Sequence, residues 1–553
     1  MKKHKLIFAS AFLLLCAGLH AAPAAITRID EDKKAIKFGQ KADGFKDVTV
    51  VKGSACTKQN PISVNLEKFA NQEVTLSLSC DIKIKGADGD FDIIWMINDY
   101  DAGFPEISRK KIKGNEWVHM QGKKTLIIGK NKQLYLSKTG LPMDDISIML
   151  KDFKVEIITE GDIGEKLGWL EAPSLKKALN PYFTFGLAVT YKGELTNPDI
   201  QDGLYHHAET ITLGNEFKPD FLFAWQNPNV KLTQFTASNG KTIDVPALLP
   251  SFKDMDAILG LAQINKLKIR GHVLTWHSQT PHWFFTEGYK ATGELVDKET
   301  MTARHEWYIA SVLNHVKAWE EKYNKGEHII WVWDVVNEAA KDGATADRWL
   351  REDSDWYRIY GDAEFIVNAF RFANKYAPAD VLLCYNDYGT YSGSNLTKGG
   401  KTNAILNIID AVQAAPDARL DVLGMQSHVG LTSPKATGSD SFETAVQKFV
   451  AKGLDVHITE LDVGHTSSYS PIKMKARYYD LFKVFLANRK TEDKHGISCV
   501  TIWGVTDENT WLDNQPEYKN KIKQHPVLFD GKDEFFAKPC FYGILEAVEE
   551  EGK

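Results

Sequence analysis

Two short stretches of the sequence each lead from a strand-like apolar run into a glutamate. The first, residues 329–338, reads IIWVWDVVNE and ends on Glu338; the second, residues 454–463, contains Glu460. In a parallel α/β barrel, the residues that do chemistry follow the carboxyl ends of buried strands. Two carboxyl groups that meet across one cleft, one as an acid and one as a nucleophile, are the minimum needed to cleave a glycosidic bond.

The bulk composition is that of a globular protein, with 43% hydrophobic and 25% charged residues among 553. This length predicts two domains besides any targeting segment. The formal net charge of -6 argues against nucleic acid as a partner. The chain has 14 tryptophans, for which sugar stacking competes with core packing as the explanation.

Residues 1–24 have the pattern of a secretory signal peptide. Three lysines precede a short apolar run, and alanines suited to cleavage follow it. The run is too short to span a bilayer, and we expect a secreted, periplasmic or cell-surface bacterial protein with no membrane span. A lipid anchor on Cys16 is an alternative, against which the bulky Leu15 before it argues.

The cysteines predict neither a disulfide scaffold nor a zinc site, because they are few, scattered and without ligand spacing. A bridge between Cys56 and Cys80 is one interpretation, and burial as small apolar side chains is the other. We expect no metal and no cofactor.

Residues 25–160 are predicted to form an all-β sandwich. Residues 74–84 alternate apolar and polar side chains, which is typical of a half-buried antiparallel strand. Glycines separate several such segments, and short strands at this spacing indicate a sandwich. The further strand candidates are residues 91–97, 124–128, 133–136 and 146–158.

Residues 161–553 alternate short apolar strands with amphipathic helices. Eight such units in about 380 residues predict a closed (β/α)8 barrel with long loops. The eight predicted strands are residues 183–189, 210–213, 269–275, 329–336, 381–385, 422–426, 456–459 and 499–503. The helix candidates include residues 253–267, 302–322, 364–376 and 442–452.

Polar and aromatic residues cluster where seven of these strands should end. One polar residue at the end of a barrel strand is common, but packing does not explain amide, imidazole, carboxylate or indole groups at seven of them. Because these strand ends share one rim, we expect the side chains to meet in one cleft. They are Asn215, Glu216, Lys218, His272, Trp276, His277, Gln279, Asn337, Glu338, Asn386, Asp387, Tyr388, Gln426, Ser427, His428, Glu460, Asp462, Trp503 and Trp511.

The motifs and their order resemble those of glycoside hydrolase family 10, the barrel endo-β-1,4-xylanases. The resemblance covers residues 171–548. It implies retaining, endo-acting hydrolysis of β-1,4-xylosidic linkages, with xylan or xylo-oligosaccharides as substrate. The motifs are Gly-His-x-Leu-x-Trp-His-x-Gln from Gly271, Asn-Glu at 337–338, Asn-Asp-Tyr at 386–388, Gln-Ser-His at 426–428, Thr-Glu-Leu-Asp at 459–462 and Trp-Gly-Val-Thr-Asp at 503–507.

The resemblance makes Glu338 the general acid/base and Glu460 the nucleophile. The acid must keep a proton at neutral pH, which requires burial and a neighbouring negative charge that raise its pKa. The nucleophile must be ionised. Retention of configuration requires the two carboxyl groups to lie about 5–5.5 Å apart.

The resemblance also assigns roles around this pair. His428 would hydrogen-bond Glu460, Asp462 would fix the proton of that histidine, and Asn337 would hold the sugar 2-hydroxyl. His277, Asp387 and Ser427 are expected to support these groups from behind. The other implied substrate-binding residues are Asn215, Lys218, His272, Trp276 and Gln279 on the glycone side, Tyr388 on the aglycone side, Gln426, and the walls Trp503 and Trp511.

One position departs from the family pattern. The family usually has a glutamate directly before the asparagine of the second-strand motif, where this chain has Gly214. A carboxylate that would bind sugar hydroxyls is therefore missing, and charge-assisted hydrogen bonds are the stronger kind. Glu216 is not expected to replace it, because adjacent residues point in different directions.

The first domain resembles carbohydrate-binding β-sandwich modules that precede such catalytic domains. Its candidates for sugar stacking are Trp95, Tyr100, Phe104, Trp117 and Tyr135, with the sandwich core as the alternative place for each. A spacer that has lost binding is the other interpretation of the domain.

Three alternatives stay open for the whole protein, which we expect to be a monomer. A non-catalytic glycan-binding barrel predicts the loss of one carboxylate, and both are present. A metal-dependent hydrolase would use His272, His277 and His428, which lie inside the xylanase motifs. Action on other β-1,4-glycans is the third.

Overall fold

The protein divides into two compact units, residues 1–164 with 468–473, and residues 165–467 with 474–553. The structure is a computed structural model. The predicted signal peptide, Cys16, Cys56 and Tyr100 lie outside the residues that it describes. Those residues are 25–29, 36–37, 49–52, 62–69, 73–86, 88–97, 104–128, 133–139, 146–159, 167–224, 232–247, 249, 251–466, 469–532 and 534–552.

The first unit is built from two antiparallel sheets. One sheet has the order β1-β10-β5-β8 with β3 paired to β10, and the other has the order β2-β4-β9-β6-β7, in the following numbering. The strands are β1 Ala25–Arg28, β2 Ile36–Lys37, β3 Thr49–Lys52, β4 Ser63–Asn65, β5 Glu73–Lys85, β6 Asp90–Ile97, β7 Glu106–Lys113, β8 Val118–Ile127, β9 Gln133–Thr139 and β10 Ser147–Thr159. A one-turn 3-10 helix, Glu67–Phe69, follows β4.

Alternating side chains of these strands form one apolar core. In β5, Leu78, Cys80 and Ile82 are buried while the residues between them are half-exposed. Trp95 is fully buried, with its ring 5.3 Å from that of Phe153. The predicted all-β sandwich is thus confirmed, and Trp95 belongs to its core. Cys80 is a buried free thiol, which favours the burial interpretation over a bridge.

The second unit contains a closed barrel of eight parallel strands. Going around it, the order is β11-β12-β15-β16-β17-β18-β20-β21, and β21 pairs with β11 to close the ring, which confirms the predicted (β/α)8 fold. The strands of this unit are β11 Thr184–Val189, β12 Thr210–Leu213, β13 Leu232–Thr236, β14 Thr242–Pro246, β15 Lys268–Trp276, β16 Ile330–Asn337, β17 Leu382–Asp387, β18 Val422–Met425, β19 His428–Gly430, β20 Asp455–Gly464, β21 Ile497–Ile502, β22 Phe529–Asp530 and β23 Phe536–Ala537.

Helices connect most of the barrel strands and cover them with apolar faces. In α7, for example, Ile366, Ala369, Phe370 and Ala373 recur at helical spacing and are fully buried. The helices are α1 Leu175–Leu179, α2 Pro198–His207, α3 Pro219–Leu222, α4 Phe252–Ile264, α5 Lys298–Tyr323, α6 Asp355–Tyr360, α7 Glu364–Tyr376, α8 Gly400–Gln413, α9 Phe442–Val450, α10 Pro471–Ala487 and α11 Pro539–Glu551. Short 3-10 turns occur at His282–Phe285, Glu287–Tyr289, Asp507–Asn509 and Trp511–Asn514, and a π-helix at Tyr191–Leu195.

Some element boundaries differ from the prediction, either because a side chain caps a helix or because a connecting loop contains its own hairpin. Helix α5 begins at Lys298, four residues before the predicted start, because the Asp297 carboxylate accepts the backbone N–H of Thr300. Strand β20 continues to Gly464, well past the predicted end. The β13–β14 hairpin was not predicted. No helix among the described residues has the length and apolar character needed to cross a membrane.

Candidate active site

A cavity of about 680 Å³ opens at the carboxyl-terminal ends of the barrel strands. Both predicted carboxylates and every predicted substrate-binding side chain contribute to its wall, although they come from seven different strand ends. Asp462 lies behind this wall. The predicted residues that line the cavity are Asn215, Lys218, His272, Trp276, Gln279, Asn337, Glu338, Tyr388, Gln426, His428, Glu460, Trp503 and Trp511.

Glu338 directly follows β16 and adopts a left-handed φ of 58°. Its Oε2 accepts a hydrogen bond from the Trp276 indole at 3.0 Å, and its Oε1 accepts one from the Gln426 amide at 2.8 Å. Burial raises the pKa of this carboxyl group, and the negative charges of Asp387 and Glu460 raise it further against the hydrogen bonds that lower it. Glu338 is therefore suited to hold a proton.

Glu460 lies within β20, every residue of which is buried. Its Oε1 accepts a hydrogen bond from the Asn386 amide at 2.8 Å, and its Oε2 lies 3.2 Å from Nε2 of His428. Burial alone would raise its pKa, but the His428 hydrogen bond, the charges of His272 and His428 and the Asn386 hydrogen bond outweigh burial and lower the pKa to about 2. This carboxylate is ionised at neutral pH.

Side-chain amides connect the two carboxyl groups. The Asn337 amide nitrogen donates to Glu338 Oε1 at 3.1 Å, while its oxygen accepts hydrogen bonds from Asn386 at 3.0 Å and Gln426 at 3.1 Å. Asn386 also donates to Glu460. One chain of hydrogen bonds therefore runs from the first carboxyl group to the second and fixes their orientations.

His428 carries the positive charge that Glu460 needs. Its Nδ1 lies 2.9 Å from Asp462 Oδ2, which also accepts the Trp511 indole N–H at 2.8 Å. Burial would lower the pKa of His428, but the charge of Asp462, the hydrogen bonds to Asp462 and Glu460 and the charge of Glu460 raise it to about 10. The predicted His428–Asp462 contact is present in the structure.

His272 is supported by a buried chain of ionic contacts that runs through Asp334 to Arg270. Its Nδ1 lies 2.9 Å from Asp334 Oδ2, and the other carboxylate oxygen of Asp334 accepts a hydrogen bond from Arg270. Arg270 and Asp334 are both almost fully buried. This chain of contacts holds the imidazole at the cavity floor, where its charge contributes to the low pKa of Glu460.

The walls of the cavity combine indole rings with polar groups, as a sugar site requires. Lys218 Nζ lies 5.0 Å above the Trp276 ring and donates to Asn215 Oδ1 at 3.2 Å. Trp503 is half-buried, and Trp511 is 37% exposed, so both rings have surface available. Burial lowers the pKa of Lys218, against the opposing charges of Glu460 and Glu338.

Tyr388, which also lines the cavity, is hydrogen-bonded to two charged residues. Its hydroxyl donates to Asp342 and accepts a hydrogen bond from Arg351 at 2.9 Å. Lys401 Nζ lies 3.0 Å from Asp387, which is fully buried and outside the cavity wall, as expected for a supporting residue. His277 is partly buried, and burial lowers its pKa to about 4.

Sequence reasoning missed several features of the site. It placed Asn386 at a strand end without assigning it a role, whereas the Asn386 amide donates directly to Glu460. Thr190 and Glu194 follow β11, a strand end without a recognised motif, and both line the cavity. Glu216, by contrast, is buried and uses its carboxylate to accept the backbone N–H groups of Tyr191 and Asn215.

The described residues do not include a group of three or more His, Cys, Asp or Glu side chains placed to bind a metal ion. Two of the three histidines that favoured a metal-dependent alternative, His272 and His428, contact different carboxylates. His272 contacts Asp334, and His428 contacts Glu460 and Asp462.

Comparison with known proteins gives consistent results over the barrel. The model of Glycosyl hydrolase family 10 matches residues 174–547. Endo-1,4-beta-xylanase B of Butyrivibrio fibrisolvens is 34% identical over 379 residues, which are 68% of this chain and 53% of that protein. Endo-1,4-beta-xylanase Y of Acetivibrio thermocellus is 31% identical over 384 residues, 68% of this chain and 32% of that protein. The chain thus spans about half or less of these curated relatives.

Some solved structures resemble the barrel alone, and one resembles nearly the whole chain. A GH10 structure from Paenibacillus barcinonensis is 27% identical, with a TM-score of 0.54, and covers 68% of this chain and 98% of that one. The CBM22-1–GH10 modules of endo-1,4-beta-D-xylanase 10B from Clostridium thermocellum, complexed with xylohexaose, cover 95% of this chain and 93% of that one. Their identity of 24% and TM-score of 0.55 show a shared fold.

Proposed function

Because the chain belongs to glycosyl hydrolase family 10, we propose that it is an endo-1,4-β-xylanase that hydrolyses xylan with retention of configuration. The observation that carries the proposal is the electrostatic contrast between two carboxyl groups in one cavity. The pKa of Glu338 is raised, whereas that of Glu460 is lowered to about 2. The cleft therefore combines a carboxyl group that is biased towards its protonated form with one that is biased towards its anion, the pair that a double displacement uses.

In the first step, Glu338 gives its proton to the glycosidic oxygen while Glu460 attacks the anomeric carbon. The bond to the leaving sugar breaks, and a glycosyl ester forms on Glu460. We assign the sugar 2-hydroxyl to the amide of Asn337, which bonds Glu338 directly and is linked to Glu460 through Asn386. That contact strengthens as the ring acquires oxocarbenium character.

In the second step, Glu338 acts as a base. Esterification removes the charge of Glu460, which is one of the causes of the raised pKa of Glu338, so Glu338 now ionises more readily. It takes a proton from water, the water oxygen attacks the anomeric carbon, and Glu460 leaves as a carboxylate. His428, whose pKa is raised to about 10, stays charged and stabilises that leaving carboxylate.

Digestion of glucuronoxylan, arabinoxylan and cellulose, with product sizes followed over time, tests the substrate and the mode of action. We expect a ladder of xylo-oligosaccharides early in the reaction, from internal cuts, and little release from cellulose. Xylose alone, released from chain ends, would contradict endo action. Preferred release from cellulose would assign another β-1,4-glycan, and no release from any of the three would favour a non-catalytic glycan-binding protein.

Azide rescue tests the assignment of the two glutamates. We expect Glu460→Ala to abolish turnover of an aryl β-xylobioside, and added azide to restore a product of inverted configuration, because azide replaces the missing nucleophile from the opposite face. We expect Glu338→Ala to keep its nucleophile and to give an azide product of retained configuration. The reverse pair of outcomes, read by proton NMR of the anomeric centre, would exchange the roles.

We also propose that the protein is exported and acts outside the cytoplasm as a monomer. The support is the lysine-alanine pattern of residues 1–24. N-terminal sequencing of the secreted protein should begin after residue 21 or shortly beyond, and a lipid on Cys16 would show instead as a mass increase and membrane association. Light scattering of the purified protein checks the monomer.

A further inference from the structure

The cavity contains a third carboxylate that the proposed reaction does not use. Glu194 lies in the π-helix Tyr191–Leu195, is 6% exposed and contributes to the cavity wall with Thr190, Gly214, Asn215 and Lys218. Glu216 accepts the backbone N–H groups of both Tyr191 and Asn215, so this π-helix lies beside Asn215, on the side of the cleft that we assign to the glycone. A buried carboxylate at a substrate cavity loses hydration that only hydrogen-bond donors can replace.

Thr190 fixes this carboxylate in place. The Thr190 backbone N–H donates to Glu194 Oε2 at 2.9 Å, and its hydroxyl donates to the same oxygen at 2.6 Å. The Thr190 hydroxyl also accepts the Gly193 N–H at 3.2 Å, and Leu195 beside it is fully buried. Both of these hydrogen bonds to Glu194 use Oε2, and within the described part of the chain the other oxygen, Oε1, has no donor.

Gly214 leaves space next to this pair. A Cβ at that position would meet the Val189 carbonyl oxygen at 3.7 Å and the Thr190 methyl group at 4.0 Å, both ordinary contacts. No close backbone contact therefore requires a glycine here. The absence of a side chain leaves free space in the cavity wall next to Thr190 and Glu194. Asn215 and Lys218, the next polar groups on this side, are already bonded to each other at 3.2 Å.

We infer that Glu194, held by Thr190, binds the hydroxyl groups of the second sugar unit on the glycone side, counted from the cleaved bond. This sugar would occupy the space that Gly214 leaves open. This inference rests on the proposed function. The Oε1 atom accepts from a sugar hydroxyl, and the charge of the carboxylate makes that hydrogen bond stronger than one to a neutral amide. Glu194 is a specificity-determining residue in this role, because only substrates with a second glycone sugar reach it.

Two aryl substrates of different length test the inference. In Glu194→Gln, which keeps the size of the side chain, we expect kcat/KM for aryl β-xylobioside to fall about 10- to 100-fold. For aryl β-xyloside, which occupies only the site next to the cleaved bond, we expect a change within about twofold. Glu194→Gln/Gly214→Glu should recover much of the loss, since it returns a carboxylate to the same part of the cleft. Asp202→Asn, an exposed carboxylate on α2 outside the cavity, is the matched control.

The outcomes separate the inference from the function on which it rests. An equal loss on both substrates would mean that Glu194 only supports the fold of its loop, and an unchanged aryl β-xylobioside value would mean that it does not touch the sugar; either result overturns the inference alone. Failure of the unmodified protein to cleave both aryl substrates and xylan would overturn the proposed function, and the inference with it.

Discussion

At the scale of single residues, the cleft sets two identical side chains to opposite protonation states. Burial pushes the pKa of Glu338 and of Glu460 upward alike. The two pKa values differ because the neighbouring charges differ: two other carboxylates act on Glu338, while two imidazoles act on Glu460. Because one pKa unit corresponds to about 1.4 kcal/mol, a few such contacts suffice to separate an acid from a nucleophile.

We expect the charge of His428 to depend on Asp462, and a titration of the His428 ring tests this. Since Asp462 provides the largest contribution that raises the pKa of His428 to about 10, the imidazole is charged across the neutral range and loses its proton only above that value. In Asp462→Asn, burial acts with less opposition, so the pKa falls and the proton is lost at lower pH. We expect the NMR midpoint of the His428 ring to move down by about one unit or more.

The variant keeps a hydrogen-bond acceptor for the Trp511 indole, so the geometry should survive. A second consequence is kinetic: on an aryl substrate for which the second step limits turnover, kcat should decline at a lower pH than in the unmodified protein, because neutral His428 no longer stabilises the carboxylate that leaves in that step. An unmoved His428 midpoint would show that Asp462 does not set its charge.

At the scale of elements, the barrel brings together side chains from strand ends that are far apart in sequence. The apolar runs of the eight strands, their alternation with helices and the polar residues after them were sufficient to predict the barrel and many, but not all, of the side chains that line the cleft. The β16 and β20 glutamates were found because each directly follows or interrupts such a run. Their mutual distance and exact roles remain predictions.

Contacts within the cleft were less accessible to sequence reasoning. Asn386 and Glu460 are 74 positions apart, and nothing in either motif says which side chain the amide will meet. Glu194 lies in a π-helix of five residues, too short to show a periodic pattern. In the first unit, the tryptophan at 95 could be a sugar platform or core by sequence, and the sheet pairing decides for the core.

Gly424 in β18 shows how a strand positions a side chain on its neighbour. A Cβ there would lie 2.4 Å from Asn386 Oδ1 and 3.0 Å from Cys384 Sγ, so Gly424→Ala must displace the amide that bonds Glu460. We expect kcat/KM on aryl β-xylobioside to fall at least about tenfold, and the free energy of unfolding to drop by about 1–3 kcal/mol. Chemical denaturation and steady-state kinetics measure the two effects.

Gly260 in α4 provides the matched control. A Cβ there would meet only the Trp319 ring, at 4.0 Å, and alanine favours a helix over glycine by about 1 kcal/mol. Gly260→Ala should therefore leave kinetics unchanged and raise the free energy of unfolding. If Gly424→Ala behaves like Gly260→Ala, the packing of Asn386 against β18 is not what holds the amide in place.

At the scale of the whole molecule, each unit has its own apolar core, and only the barrel carries the paired carboxyl groups. The first unit has exposed aromatic residues that its core does not require: Trp117 is 38% exposed and Phe104 is 37% exposed. Lys151 Nζ lies 4.8 Å from the Trp117 ring. An indole with an accessible surface beside a cation is suited to stack on a sugar and to donate to its hydroxyls.

We therefore expect Trp117→Ala to weaken adsorption of the full-length protein to insoluble xylan by about three- to tenfold. Its kcat/KM on a soluble aryl β-xylobioside should stay unchanged, because Trp117 does not line the cleft. Tyr323→Ala removes an aromatic ring that is even more exposed, at 53%, from α5 of the barrel unit and should alter neither quantity. Adsorption isotherms of the three proteins give the comparison. Equal adsorption by all of them would mean that the first unit uses another surface or acts as a spacer. A parallel loss of turnover on the soluble substrate would mean that Trp117 supports folding rather than binding.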